Sequence, residues 1–237
     1  MNTRSLKSLF AIASGLLAAI LVAGCDSLPG RPTQADLPLR PTRVTDFATL
    51  YGESCAGCHG ADGKSGAAIA MNNSIYLTII DDASMRRVIS AGVPGTAMPP
   101  FAESAGGSLT DRQIGIVIAG IRKQWAGSPD AAAGAPPYSS ATPGDSNSGA
   151  QVYAANCQSC HGPDGKGGPA GSVVDASYLA LVSDQYLRSI VIAGRPELGQ
   201  PDWKNAAGGR PLTPAQVSDV VAWLASKRPA PPRAQSN

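Results

Sequence analysis

Histidine is almost missing from this 237-residue chain, which holds only His59 and His161. Methionine is nearly as scarce, and none follows Met98. Once those two histidines have a task, none is left for acid–base chemistry. Aromatic residues make up 5% and charged residues 15%, with a formal net charge of +2. A nucleic-acid-binding protein would leave a basic patch or stripe, and no such partner is expected here. Glycine (27) and proline (20) are plentiful instead. That composition suits small, loop-rich domains, and the length suits one or two of them. Small domains bury too little surface to be robust without a staple such as a metal or a disulfide.

Cysteine is also scarce, yet each of the five has a place. Four sit in Cys55-Ala56-Gly57-Cys58-His59 and Cys157-Gln158-Ser159-Cys160-His161. Cys-x-x-Cys-His is the attachment pattern of c-type haem. Two thiols at this spacing add across the two haem vinyl groups, and the next residue brings an imidazole beneath the iron. Zinc would need four ligands converging in one cluster, whereas these triplets lie about 100 positions apart. A redox dithiol would have no use for a following histidine twice. Two covalently bound haem c groups are therefore expected, on Cys55, Cys58, Cys157 and Cys160, with His59 and His161 as proximal iron ligands. A haem at the centre of each domain would be the missing staple.

The fifth cysteine closes a leader-like segment. Arg4 and Lys7 precede an apolar stretch from Leu9 to Gly24, shorter than the roughly 20 residues of a membrane-spanning helix. It ends in Leu21-Val22-Ala23-Gly24-Cys25, which resembles a bacterial lipobox. Lipidation of Cys25 after removal of residues 1–24 is expected, against the alternative of an uncleaved anchor helix. Loss of Arg4 and Lys7 would bring the formal charge to zero.

An internal repeat organises the rest. His59 and His161 are offset by 102, and the same offset aligns Tyr51 with Tyr153, Asp62-Gly63-Lys64 with Asp164-Gly165-Lys166, and Arg86 with Arg188. Each copy should hold a first helix ending at the haem motif (45–58, 147–160) and a middle helix (Asp82 to Ala91, Asp184 to Ala193) stopped by a left-handed glycine. A last helix should begin in a capping box at Thr110…Gln113 and Thr213…Gln216. Apolar residues then recur at helical spacing: Ile114, Val117, Ile118, Ile121 and Val217, Val220, Val221, Leu224. The organisation expected is a signal peptide (1–24), a lipid-attached tether (25–44), domain 1 (45–126), a Pro/Ala/Ser-rich linker (127–147) that is semi-extended and buries little, domain 2 (148–228) and a tail (229–237).

These residues resemble tandem class I cytochrome c domains over about residues 45–228. The resemblance implies an all-α fold, each domain wrapped around one covalent haem. It also implies an axial methionine in the loop before the last helix, which is where Met98 stands, 39 residues after His59. Met98 is expected to be the sixth iron ligand of haem 1, ahead of Met71 and Met85. A soft thioether favours ferrous iron and raises the potential. The second copy departs from the family at this point, because the position 39 residues after His161 is Gln200. Gln200, Lys204, water or an open position remain for haem 2, with a lower potential than haem 1. Lys64 and Lys166 are expected as solvated turn residues, Arg86 and Arg188 as an exposed helix face or as propionate partners. Phe101 and Trp203 are expected against haem, Trp125 and Trp223 in the core. A carbonyl near Ala67 and Pro169 is the candidate acceptor for each histidine.

Relatives of this kind carry electrons. The function expected is electron transfer between a respiratory membrane complex and another, soluble, redox carrier. The location expected is the periplasmic side of the bacterial inner membrane, with the lipid as the anchor. The alternative is a ligand-binding or catalytic haem 2 acting on peroxide, nitric oxide or a small anion.

Overall fold

The computed structural model describes residues 37–229. The expected leader, the expected lipidation site Cys25, most of the expected tether and the C-terminal tail beyond 229 lie outside them. The chain divides into two compact units, one ending at Arg43 and one beginning at Val44. In the described part of the first, a 3-10 turn Pro41–Arg43 is exposed throughout.

The second unit is built from helices. They are α1 Phe47–Ser54, α2 Ala56–His59, α3 Ser74–Ile79, α4 Asp82–Ala91 and α5 Asp111–Trp125. The repeat follows as α6 Ser146–Asn156, α7 Gln158–His161, α8 Ala176–Leu181, α9 Asp184–Ala193 and α10 Pro214–Ala225. Among the described residues there are isolated β-bridges but no strand, and no helix is long and apolar enough to cross a membrane. The fold is all-α, in two copies.

Local chemistry explains where these helices start. Asp46, Asn73, Asp81, Thr110 and, in the repeat, Asp145, Asp175, Ser183 and Thr213 each accept a backbone N–H of the helix that follows. Such a cap contributes about 1 kcal/mol. At Thr110 and Thr213 the capping box is complete, with Gln113 and Gln216 reaching back to the cap's own N–H. The middle helices end at Gly92 (φ +64°, ψ −166°) and Gly194 (φ +67°, ψ −177°). This is an extended positive-φ conformation open essentially to glycine alone, not the left-handed turn expected. It swings the chain directly into the loop that carries Met98 or Gln200.

Each copy has its own core. Leu50, Tyr51, Leu77, Ile80 and Met85 gather around Ile114, Val117, Ile118 and Ile121 of α5. In the repeat, Val152, Tyr153, Leu179 and Leu187 gather around Val217, Val220, Val221 and Leu224 of α10. The contact between first and last helix is made with opposite partners. In the first copy Phe47 on α1 faces Gly120 on α5, where an added Cβ would stand 2.0 Å from the ring. In the second the glycine is Gly149 on α6 and the aromatic is Trp223 on α10; an added Cβ would stand 2.0 Å from the Asp219 carbonyl oxygen and 2.8 Å from Trp223 Cβ. Trp125 packs edge-on to Tyr51 with centroids 5.0 Å apart, and Trp223 stacks on Tyr153 at 4.1 Å.

A matched arginine braces each copy. Arg122 donates to the carbonyls of Leu77 and Ile80 and pairs with Asp82. Arg228 does the same with Leu179, Val182 and Asp184. The acceptors obey the repeat offset, but the two arginines do not.

The segment 127–147 departs from expectation. Pro136 is fully buried, and the segment is fastened to α9. Arg188, only 4% exposed, donates from Nε and Nη2 to Pro137 O (3.0 and 2.9 Å) and from Nε to Tyr138 O (3.1 Å). Gln185 adds a bond to Tyr138 O at 2.8 Å. Arg188 is therefore neither an exposed-face residue nor free for a propionate. Its counterpart Arg86 is exposed and donates to Asp111 O.

The copies also meet each other. Ile190 and Ala193 of α9 belong to the first core, while Ile75 and Ile79 of α3 lean on the second. Asn73 Nδ2 donates to Ala193 O (3.1 Å), Ala97 N to Leu181 O (3.3 Å) and Arg195 Nη2 to Gly66 O (3.3 Å).

Candidate haem sites

The attachment turn is a separate piece of helix in both copies, rather than the end of the first helix. At Cys55 the backbone turns out of helical geometry (φ −120°, ψ −38°), and Ala56–His59 forms a new single turn. Cys157 repeats this at φ −123°, ψ −31° before Gln158–His161. The break is held by two bonds to one acceptor: Cys55 O receives both Cys58 N (3.2 Å) and His59 N (3.0 Å), and Cys157 O is used in the same way. The cysteine at the break and the single turn after it then present two thiols and an imidazole together, from Cys55, Cys58 and His59 and from Cys157, Cys160 and His161. Behind it, Tyr51 Oη donates to Gly60 O (3.0 Å) and Tyr153 Oη to Gly162 O (2.7 Å). The following loop packs so closely on the turn that a Cβ on Gly66 would stand 2.1 Å from Cys58 O, and one on Gly168 2.5 Å from Cys160 O.

The histidines are fixed through one nitrogen. His59 Nδ1 lies 2.8 Å from Ile69 O, and His161 Nδ1 lies 2.9 Å from Gly171 O. A carbonyl can only accept, so each Nδ1 carries the proton and donates it. In the neutral ring this leaves Nε2 with the lone pair, the form in which imidazole binds a metal. The acceptors stand ten residues after their histidines, two beyond the Ala67 and Pro169 positions expected. His59 is buried, which disfavours its charged form, as does Arg195 nearby; the Ile69 carbonyl opposes this shift. The four thiols are unpaired, with Cys55 and Cys157 half-buried and Cys58 and Cys160 exposed. Burial, then the neighbouring thiol, pushes Cys55 and Cys157 up to about 11.

Met98 is half-buried at the end of a short loop closed by Val93 N to Met98 O at 2.9 Å. The second copy builds the same loop, closed by Arg195 N to Gln200 O at 3.1 Å. There Gln200 Nε2 donates to Ile190 O (3.1 Å), so its amide nitrogen is occupied and its oxygen alone is left as a donor to iron. Lys204 is exposed on a 3-10 turn, Trp203–Asn205. Met71 and Met85 are committed to the first core. Lys64 and Lys166 are exposed, Trp203 is buried in the second core, and Phe101 is half-buried against the first.

Two free thiols beside a Nε2-available imidazole, built twice on the same hydrogen-bonded frame, fit haem c and nothing simpler. Haem iron, when bound, supplies a centre that gains and loses one electron; the chain supplies its attachment, orientation and surroundings. This donor set in tandem helical domains defines a c-type cytochrome.

Comparison with known proteins agrees. The profile described as "Cytochrome C oxidase, cbb3-type, subunit III" matches residues 42–119, and "Cytochrome c" matches 146–227. The chain is a tandem class I c-type cytochrome carrying two covalently bound haem c groups. It is 27% identical over 188 residues to the Cbb3-type cytochrome c oxidase subunit FixPc of Rhizobium leguminosarum bv. viciae. It is 28% identical over 195 residues to the subunit FixP of Sinorhizobium medicae (strain WSM419). Each alignment covers 73% of this chain, and the chain spans 59% and 61% of the lengths of those relatives. A solved chain of the Kuenenia stuttgartiensis reducing HAO-like protein complex Kustc0457/Kustc0458 aligns with a TM-score of 0.47 and 17% identity, covering 81% of this chain and all of that one.

Proposed function

We propose that this chain transfers electrons between a respiratory membrane complex and a second redox carrier, from the periplasmic side of a bacterial inner membrane to which lipid on Cys25 holds it. The observation that carries this reading is the doubled attachment frame. His59 and His161 are each locked by Nδ1 to a carbonyl ten residues on, beside a free thiol pair. A rigid, pre-oriented ligand keeps the geometry around iron nearly the same in both oxidation states, which is what an electron carrier needs. Packing of α3 against α9 sets the two frames in one body. The likeness to cbb3-type oxidase subunits supports a respiratory complex as the partner.

Stopped-flow mixing of the reduced holoprotein with membranes containing a cbb3-type oxidase tests the reading. Oxidation of both haems within the turnover time of the oxidase is the expected result. A protein that stays reduced, while a soluble carrier cytochrome in the same mixture is oxidised, refutes it. Fractionation tests the anchor: Cys25→Ser should move the protein from membrane to soluble fraction.

A second reading has its own observation. Gln200 stands where the first copy has Met98, and its amide nitrogen is taken by Ile190 O. Haem 2 would then be held weakly or not at all on its sixth side, and a small ligand such as nitric oxide, peroxide or a small anion would have access.

A further inference from the structure

The seam between the copies holds a charged pair that the haem frames do not use. Arg195 is 8% exposed and opens the loop that ends at Gln200. Its Nη2 crosses to Gly66 O of the first copy, three residues before Ile69, whose carbonyl fixes His59. Its Nε pairs with Glu197 of the same loop, and the two side chains are 10% and 16% exposed. They line one wall of a cleft of about 500 Å³ whose other wall runs from Lys64 to Ala67. At the repeat offset, Arg195 corresponds to Val93 and Glu197 to Gly95. The pair is therefore absent from the duplicated plan and occurs only in the copy whose axial loop faces the other's proximal loop.

Charges removed from water act over several ångströms. Paired, Arg195 and Glu197 offset each other in part; removal of either one changes the net charge beside the His59 site. Arg195 also reaches both loops at once, so its position registers one against the other.

We propose that Arg195 and Glu197 are a positioning pair that couples the two haem sites, tying the axial loop of the second copy to the proximal loop of the first and setting the electron affinity at the His59 site. The inference rests on the reading that His59 and Met98 hold haem 1. It gives the two groups opposite effects. Without Arg195 the bare carboxylate favours ferric iron; without Glu197 the bare guanidinium favours ferrous iron.

The test is a potentiometric titration of the holoprotein in wild-type, Arg195→Gln, Arg195→Lys, Glu197→Gln and Met98→Ala forms, followed by absorbance and EPR. The haem-1 component is the one that Met98→Ala moves. In Arg195→Gln its ferrous-to-ferric ratio at fixed poise should fall by a factor of about three or more, about 28 mV at 59 mV per tenfold. Glu197→Gln should raise the ratio, and Arg195→Lys should restore most of the wild-type value, because it keeps the charge. Shifts of the same sign in Arg195→Gln and Glu197→Gln, or no shift in either while Met98→Ala moves a component, overturn the coupling. If Met98→Ala moves neither component, the ligand reading fails and the coupling falls with it.

Discussion

Replacing Gln200 with methionine asks whether the second axial loop is a seat of the same shape as the first. Both loops are six-residue closures, pinned by Val93 N to Met98 O at 2.9 Å and Arg195 N to Gln200 O at 3.1 Å. They leave equivalent glycine-ended helices, and residue 200 lies as far from His161 as Met98 does from His59. The substitution forfeits one hydrogen bond, Gln200 Nε2 to Ile190 O. A half-buried bond of that kind contributes about 1 kcal/mol, which is about 2–4 °C in Tm for a compact unit that, like this one, includes both copies. Gln200→Ala isolates that loss, since it removes the bond and supplies no ligand. Gln200→Met should recover stability, raise the reduction potential of haem 2, and weaken carbon monoxide binding there by at least about tenfold, because a thioether must be displaced first. Potentiometry and CO titration of the three reduced holoproteins read both effects. If Gln200→Met binds CO as tightly as Gln200→Ala and its potentials match, residue 200 does not face the iron and the equivalence of the loops is refuted.

The exchanged glycines separate two kinds of crowding. Gly149→Ala meets the Asp219 carbonyl, which is backbone and cannot yield, and should cost about 2–3 kcal/mol in urea unfolding. Gly120→Ala meets the Phe47 ring first; in a Phe47→Ala background it should become stabilising by about 1 kcal/mol, the helix preference of alanine over glycine. Arg188→Met strips Pro137 O of its donor and should cost about 2 kcal/mol. Limited proteolysis should then cut within 127–147 earlier than in the wild type. Asp62 is held down to about 2 by the Ser65 hydroxyl and the Lys64 and Ser65 amides. Its folded pKa lies below the unfolded value of 3.8. Its contribution is therefore complete above that value and is lost as pH falls towards about 2. The stability difference between wild type and Asp62→Asn, followed by thermal melts, should shrink across that window; a difference independent of pH refutes the assignment.

What could be read from the sequence was chemistry confined to a few neighbouring residues. Cys-x-x-Cys-His, the two Thr…Gln capping boxes and the apolar spacing of α5 and α10 each specify their structure locally. The all-α class came from the family resemblance that these residues carry. What escaped depends on contacts between distant segments. The Ile69 and Gly171 carbonyls are generic backbone atoms, so no side chain marks them. Arg188 aligned with an exposed arginine, and only the fold shows that a buried guanidinium binds the linker. Arg122 and Arg228 do one task from positions the repeat offset does not relate, because α5 continues to Trp125 whereas α10 stops at Ala225. Phe47 and Trp223 likewise fill the same contact from opposite helices, and alignment of the copies pairs each with a glycine.

In the proposed arrangement one chain holds two haem c groups with unlike sixth ligands, Met98 at the first and Gln200 or a still weaker donor at the second. Titration of the dithionite-reduced holoprotein with carbon monoxide tests it most directly. One CO should bind for every two haems. Two bound would mean that Met98 does not protect haem 1, and none would mean that haem 2 has a strong sixth ligand other than Gln200.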